Sequence, residues 1–206
     1  MSIVGVPDCL SQGSCVSPNF YLPYLNETAE HYCCCFEQLG NRTSWKSTLE
    51  TEDMAFFKKL TTEAKPGLKN VVIMGRNTWN SIPEKFRPLQ DRINIVISST
   101  LASAPPGVFV LPNLTACMDL LEQQLSCDAD RIFVIGGSQL YKDVLEQKKY
   151  PVRIFCTHVM KDVDCDTFFP EVNWDELKKI ELPEVPSEVI EENGYTYKFA
   201  VYDIPV

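Results

Sequence analysis

Two adjacent carboxylates, Glu52 and Asp53, open the segment TEDMAFFKKLT, which otherwise carries the apolar residues Met54, Phe56, Phe57 and Leu60. Thr51 has an N-cap side chain, and acids in a first helical turn suit the helix dipole, so capping accounts for part of this pattern. From this window alone capping is the plainer reading, since most acids at helix starts do no chemistry; if one of the two acids acts, it is Asp53. It lies four residues before Phe57 and shares the Met54–Leu60 face, whereas Glu52 points elsewhere.

Three further stretches carry groups suited to phosphates. VIMGRNTW runs from an apolar strand into Gly75, Arg76, Asn77 and Thr78. Gly75 lets the backbone turn, a following helix start presents free N–H groups, and Arg76 can add a bidentate contact. VIGGSQLY repeats this logic with Gly136 and Gly137 ahead of Ser138, Gln139, Leu140 and Tyr141. It is not the G-x-G-x-x-G fingerprint. NIVISSTL ends a strand in the hydroxyls of Ser98, Ser99 and Thr100. Each stretch alone is also an ordinary strand-to-helix turn. Together they suggest an extended, multiply phosphorylated ligand along the carboxyl edge of a sheet. SIPEKFRPLQDR adds Ile82, Pro83, Phe86 and Leu89, then Arg92, a cation suited to a ligand carboxylate.

The elements that must position these groups read clearly from residue 50 onward. A helix is expected from Thr51 to about Ala64, with strands at 70–74, 93–98, 108–111, 131–137 and 152–159. Helices follow Asn113 and Gly137. Continuous apolar strands alternating with helices indicate a mostly parallel α/β sheet. Asn193-Gly194 and the alternation of Tyr195, Tyr197, Phe199 and Val201 indicate a hairpin turn and an antiparallel last strand. The first 50 residues read poorly. SIVGV at 2–6 is a possible first strand, and 7–48 shows no sustained period.

Bulk properties set limits. A net charge of −9 over 206 residues argues against nucleic acid and anionic membrane as partners. No run approaches the ~18 apolar residues of a membrane-spanning helix. No basic and apolar leader opens the chain, which points to the cytoplasm. The nine cysteines are odd in number and unevenly spaced, and suggest reduced thiols. The spacing of Cys33, Cys34 and Cys35 does not fit a zinc site, and no metal is expected.

EDMAFFKKLT, VVIMGRNTWNSIPEKFRPLQDRINIVISS, RIFVIGGSQLYK and CDTFFPEV, in that order, resemble the signature segments of the dihydrofolate reductase family. The resemblance runs from Thr51 to the C-terminus. It implies a dihydrofolate-reductase-like three-layer fold over 51–206: a mixed, mostly parallel central sheet with an antiparallel C-terminal strand and helices on both faces. It also implies reduction of 7,8-dihydrofolate to tetrahydrofolate, with hydride from NADPH to pterin C6 and a proton to N5 assisted by Asp53. Thr157 matches the threonine bonded to that acid. Asp53, Met54, Phe57, Ile82, Pro83, Leu89, Arg92, Ile135 and Thr157 match substrate positions, with Arg92 on the folate α-carboxylate. Gly75, Arg76, Asn77, Thr78, Ser98, Ser99, Thr100, Ile135, Gly136, Gly137, Ser138, Gln139, Leu140 and Tyr141 match cofactor positions. Arg76, Ser98 and Ser99 match the 2′-phosphate site. The resemblance further implies a cytoplasmic monomer acting in one-carbon metabolism and open to antifolates. Within that pocket a carboxylate ringed by Met54, Phe57 and Leu60 should titrate above its usual range and bind a pterin's polar edge.

The N-terminus departs from the family pattern. From Val6 to Asp53 there are 47 positions, well beyond the family's interval, and Leu22-Pro23-Tyr24, which resembles Leu-Pro-Trp, lies far from Asp53. Either the mobile lid loop carries a long insertion, or unrelated sequence replaces it. The alternative to a working enzyme is an impaired NADPH- or folate-binding protein lacking its first strand and lid.

Overall fold

A computed structural model describes residues 20–28, 31–33, 52–101, 103–160 and 168–204, the first two stretches as backbone strands. The strand expected at 2–6 lies outside the described residues. The elements begin with β1 (Phe20–Thr28), β2 (His31–Cys33), α1 (Glu52–Thr62), β3 (Lys69–Gly75), α2 (Arg76–Ser81), β4 (Arg92–Ile97) and β5 (Val108–Leu111). They continue with α3 (Leu114–Leu120), β6 (Ala129–Val134), α4 (Ser138–Glu146), β7 (Val152–Val159), β8 (Lys178–Ile180), β9 (Ile190–Glu192) and β10 (Tyr195–Ile204).

The strands form one sheet in the order β5-β4-β3-β6-β1-β7-β10-β8, with β2 paired to β1 and β9 to β10. The strands from β5 to β7 pair in parallel. β10 runs antiparallel to β7, β8 and β9. Interior parallel strands are covered on both faces, which explains their unbroken apolar runs. Val71, Ile73, Ile95, Ile132 and Val134 pack on one face with α3 and α4. Val72, Met74, Val96, Phe133 and Ile135 pack on the other with Phe56, Phe57 and Leu60 of α1 and Trp79 of α2. This is the three-layer arrangement that the resemblance implies.

Local chemistry accounts for the boundaries that matter to the site. Glu52 and Asp53 occupy the first turn of α1 and Lys59 its last, matching the helix dipole. Asn113 caps α3, its side chain accepting from the Ala116 N–H at 2.9 Å. Asn193 (φ 51°) and Gly194 (φ 79°) form the left-handed pair of a two-residue hairpin between β9 and β10.

The N-terminal half of the reading needs correction. Residues 7–48 were expected to be irregular, yet β1 and β2 lie within them. β1 fills the central slot between β6 and β7, pairing Tyr21 with both Phe133 and Arg153. Its pairing with β7 shifts register between Pro23 and Asn26. A proline offers no N–H to the ladder, so an irregularity there is expected. Reduced thiols were expected throughout, but Cys127 is disulfide-bonded, while Cys117 is a free, buried thiol and Cys156 is buried. Among the described residues, no helix is long and apolar enough to cross a membrane.

Candidate active site

Parallel strands β3 and β6 are neighbours, so their two glycine-bearing ends meet. The Gly75 N–H donates to the Gly136 carbonyl at 2.7 Å, and the Ile135 N–H to the Ile73 carbonyl at 2.8 Å. Gly136 has φ 114°, which side-chain-bearing residues rarely adopt, and its peptide to Gly137 is cis. A Cβ at Gly136 would sit 3.4 Å from both the Thr78 and the Tyr141 hydroxyl oxygens. Gly75 and Gly137 are the N-caps of α2 and α4, and neither helix start has a side-chain cap. Their first N–H groups are therefore available to an anion. The Thr78 hydroxyl is buried without a hydrogen-bond partner. Such a group costs free energy unless a ligand or water satisfies it. A pyrophosphate-bearing cofactor fits this cradle: glycine backbone, uncapped helix starts and a buried, unsatisfied hydroxyl.

A second polar cluster lies at the adjoining strand end. Arg76 Nη1 donates to Thr100 Oγ1 at 2.5 Å, and Ser98 Oγ accepts from the Thr100 and Leu101 N–H groups at 3.2 and 2.9 Å. Arg76, Asn77, Ser99 and Thr100 are exposed. The side chains after the double glycine are committed elsewhere. Ser138 donates to the Phe168 carbonyl at 2.7 Å, Gln139 to Asp143 at 2.8 Å, and Leu140 is buried in the core. Their backbone at the start of α4 remains for a ligand, beside the acceptor lone pairs of the Ser138 hydroxyl and the Gln139 amide oxygen.

Asp53 is 7% exposed, while its neighbour Glu52 is exposed. Thr157 of β7, 2% exposed, donates to Asp53 Oδ1 at 3.0 Å. The residues 104 positions apart in sequence are thus joined by one buried bond. Phe57, Ile82 and Ile135 are buried nearby on the same face, and Met54 and Leu89 are partly buried against that cluster. Pro83 is exposed.

Arg92 sits at the far end of α1. Its Nη1 donates to Thr61 Oγ1 at 2.8 Å and its Nε to the Gln90 carbonyl at 3.0 Å. Burial pulls its pKa down to about 10, partly opposed by Asp91, so it stays charged at neutral pH. Asp53 and Thr61 are eight residues apart on one helix, so acid and cation are separated by about 12 Å along its axis. That spacing suits an elongated ligand with a polar ring system at one end and a carboxylate at the other.

Two contributors were missed in the sequence. Asn94, 1% exposed, accepts from the Leu89 N–H and donates to the Leu89 and Arg92 carbonyls at 2.9–3.0 Å. It fixes the loop carrying Leu89 against the strand carrying Arg92. A polar residue inside INIVIS was the available signal. Thr61 gives Arg92 its anchor, and it faces inward because it lies four residues after Phe57.

Comparison with known proteins gives a consistent answer. A sequence model described as "Dihydrofolate reductase" matches residues 38–204. The dihydrofolate reductase of Schistosoma mansoni is 56% identical over 167 residues, covering 81% of this chain and 88% of that protein. That of Rattus norvegicus is 44% identical over 158 residues, covering 75% and 84%. A solved structure of the Schistosoma mansoni protein matches with TM-score 0.77 at 49% identity, covering 91% of this chain and 98% of that one.

Proposed function

This chain belongs to the dihydrofolate reductase family, and on that premise we propose that it reduces 7,8-dihydrofolate to tetrahydrofolate using NADPH, with Asp53 as its acid. The observation that carries this reading is the buried Asp53–Thr157 hydrogen bond at 3.0 Å. One carboxylate, shielded from water and oriented by a hydroxyl, suits a pterin's polar edge and can assist proton delivery to N5. The bound cofactor supplies the hydride.

The remaining roles follow from position. Met54, Phe57, Ile82, Pro83 and Leu89 line the path from Asp53 towards Arg92, and Ile135 lies beside the pterin end. Arg92, held by Thr61, takes the α-carboxylate. Thr78, the Gly136-Gly137 turn and the starts of α2 and α4 take the pyrophosphate, with Gly75 allowing close approach. Asn77, Ser138, Gln139 and Leu140 contribute through backbone, and Tyr141 packs beneath the turn. Arg76, Ser98, Ser99 and Thr100 take the 2′-phosphate, which selects NADPH over NADH. We take the enzyme to act as a cytoplasmic monomer on small molecules, antifolates included. The net charge of −9 disfavours nucleic acid and anionic membrane surfaces.

The direct test is loss of reduced-nicotinamide absorbance when purified protein meets dihydrofolate and NADPH. Absence of turnover together with tight NADPH binding would turn the reading towards an impaired binder.

A further inference from the structure

Asp53 does not face hydroxyl and apolar groups alone. Thr157, which binds it, is the register partner of Phe199 on β10. Phe199 stacks on Phe56 of α1 with ring centroids 4.3 Å apart, and Tyr197 packs edge-on against Phe199 at 5.7 Å. Tyr197 is two residues before Phe199, so it shares that sheet face. It is fully buried, and its hydroxyl donates to Glu192 Oε2 at 3.0 Å. Glu192 belongs to β9, whose hairpin with β10 is set by Asn193-Gly194.

We propose that Glu192 and Tyr197 form a positioning pair for Asp53, in which the tyrosine pins a second carboxylate beside the pocket and makes the catalytic acid easier to protonate. A buried phenol with no charge to balance would need only an acceptor, and a backbone carbonyl would serve. Here the acceptor is a carboxylate, and by register Glu192 opposes Tyr195 and shares the sheet face of Tyr197 and Phe199. The Tyr197 hydroxyl is pushed above its usual range by burial first, then by its bond to Glu192, and then by the charges of Glu192, Asp53 and Glu52. The same field acts on Asp53, because like charges disfavour each other's ionised form. Glu52 on the helix of Asp53 and Glu192 on β9 both act on Tyr197 of β10. Lys198 lies on the opposite face with its register partner His158, and Arg153 and Asp203 pair at the far end of the strands at 2.7 Å.

The inference rests on the proposed reductase activity, and the test separates the two. The pH dependence of kcat/KM for dihydrofolate is measured on the full chain for wild type, Asp53→Asn, Glu192→Gln, Tyr197→Phe and the double variant. Glutamine keeps an oxygen to accept the tyrosine bond, so Glu192→Gln removes charge and leaves the hairpin. Its activity limb should move to lower pH by on the order of half a unit, the scale of a unit charge one side-chain layer away in a part-buried site. Tyr197→Phe should move it the same way by less, since Glu192 can then swing into water. The double variant should match Glu192→Gln alone, the non-additivity of a coupled pair. A limb that stays in place in Glu192→Gln, or moves to higher pH, overturns the pairing even if wild type is active and Asp53→Asn abolishes the limb. A wild type without turnover overturns the reductase reading instead, and one that turns over with no such limb overturns the pairing.

Discussion

Replacing Thr157 with Val removes one buried hydroxyl and little volume, so its effects report on a single bond. That bond is the 3.0 Å donation to Asp53 Oδ1, between residues 2% and 7% exposed. A hydrogen bond to a charged group contributes about 1.5–3 kcal/mol. Asp53 has further interactions, so its carboxylate is not stranded, and the loss should lie near 1.5–2 kcal/mol. For a chain of this size that lowers the melting temperature by about 3–8 °C at neutral pH. The bond favours the ionised acid, so its removal should also move the activity limb to higher pH by about one unit. The sign is opposite to that expected for Glu192→Gln. The assays are thermal unfolding across a pH series and kcat/KM for dihydrofolate over the same range. The gap in melting temperature should narrow as acid protonates Asp53. An unchanged melting temperature with an unchanged pH profile would refute the argument, since the hydroxyl would then not serve the carboxylate.

Asp53→Asn should leave NADPH affinity nearly intact and cut turnover at neutral pH by about 100-fold or more, measured by cofactor titration and steady-state kinetics. Arg76→Ala should weaken NADPH by about 1.5–3 kcal/mol and leave NADH little changed; equal losses would move Arg76 away from the 2′-phosphate. His158 is buried, bonded to Tyr202 at 2.9 Å, and its pKa is lowered to about 4 by burial and then by Lys198 and Lys179. The unfolded chain therefore binds a proton that the fold refuses, so stability is fully present above about pH 6.5 and falls as pH drops towards 4, by on the order of 2–3 kcal/mol. His158→Gln should flatten that slope in denaturant titrations. Tyr21→Pro should lower the melting temperature by several degrees, because β1 is paired on both sides; an unchanged melting temperature would remove β1 from the central slot.

The readable parts of the site were those in which one residue type answers one physical need. Gly136 has φ 114°, a conformation that L side chains rarely adopt, and its doubled glycine was visible. Asn193-Gly194 specified its turn chemically, and Asp53 stood out against the aromatic face it shares. The unreadable parts depended on partners distant in sequence. FYLPYLNET carries a proline and polar residues and has no strand period, and its strand character comes from lying between β6 and β7. Gln139 and Ser138 look like ligand-facing residues after a double glycine, but Asp143 and the Phe168 carbonyl take their side chains. Tyr197 was legible as a strand residue, but its bond to Glu192 follows only once the hairpin is folded.

The position of β1 also bears on the case for activity. The argument for an impaired protein began from a first strand at 2–6, which leaves 47 positions before Asp53. With Phe20–Thr28 in the central slot, the strand ends 25 positions before Asp53, and a much shorter connection separates them. Leu22-Pro23-Tyr24 then belongs to the strand. The slot itself matters to the chemistry. β7 carries Thr157 and is flanked by β1 and β10, and Asn26 of β1 is the register partner of Thr157. The irregularity between Pro23 and Asn26 lies directly before that partner. The acid on α1 is therefore oriented through a strand whose other edge is the N-terminal segment. Damage to β1 should loosen the Asp53–Thr157 bond before it unfolds the sheet, because β3, β4 and β5 pair without it.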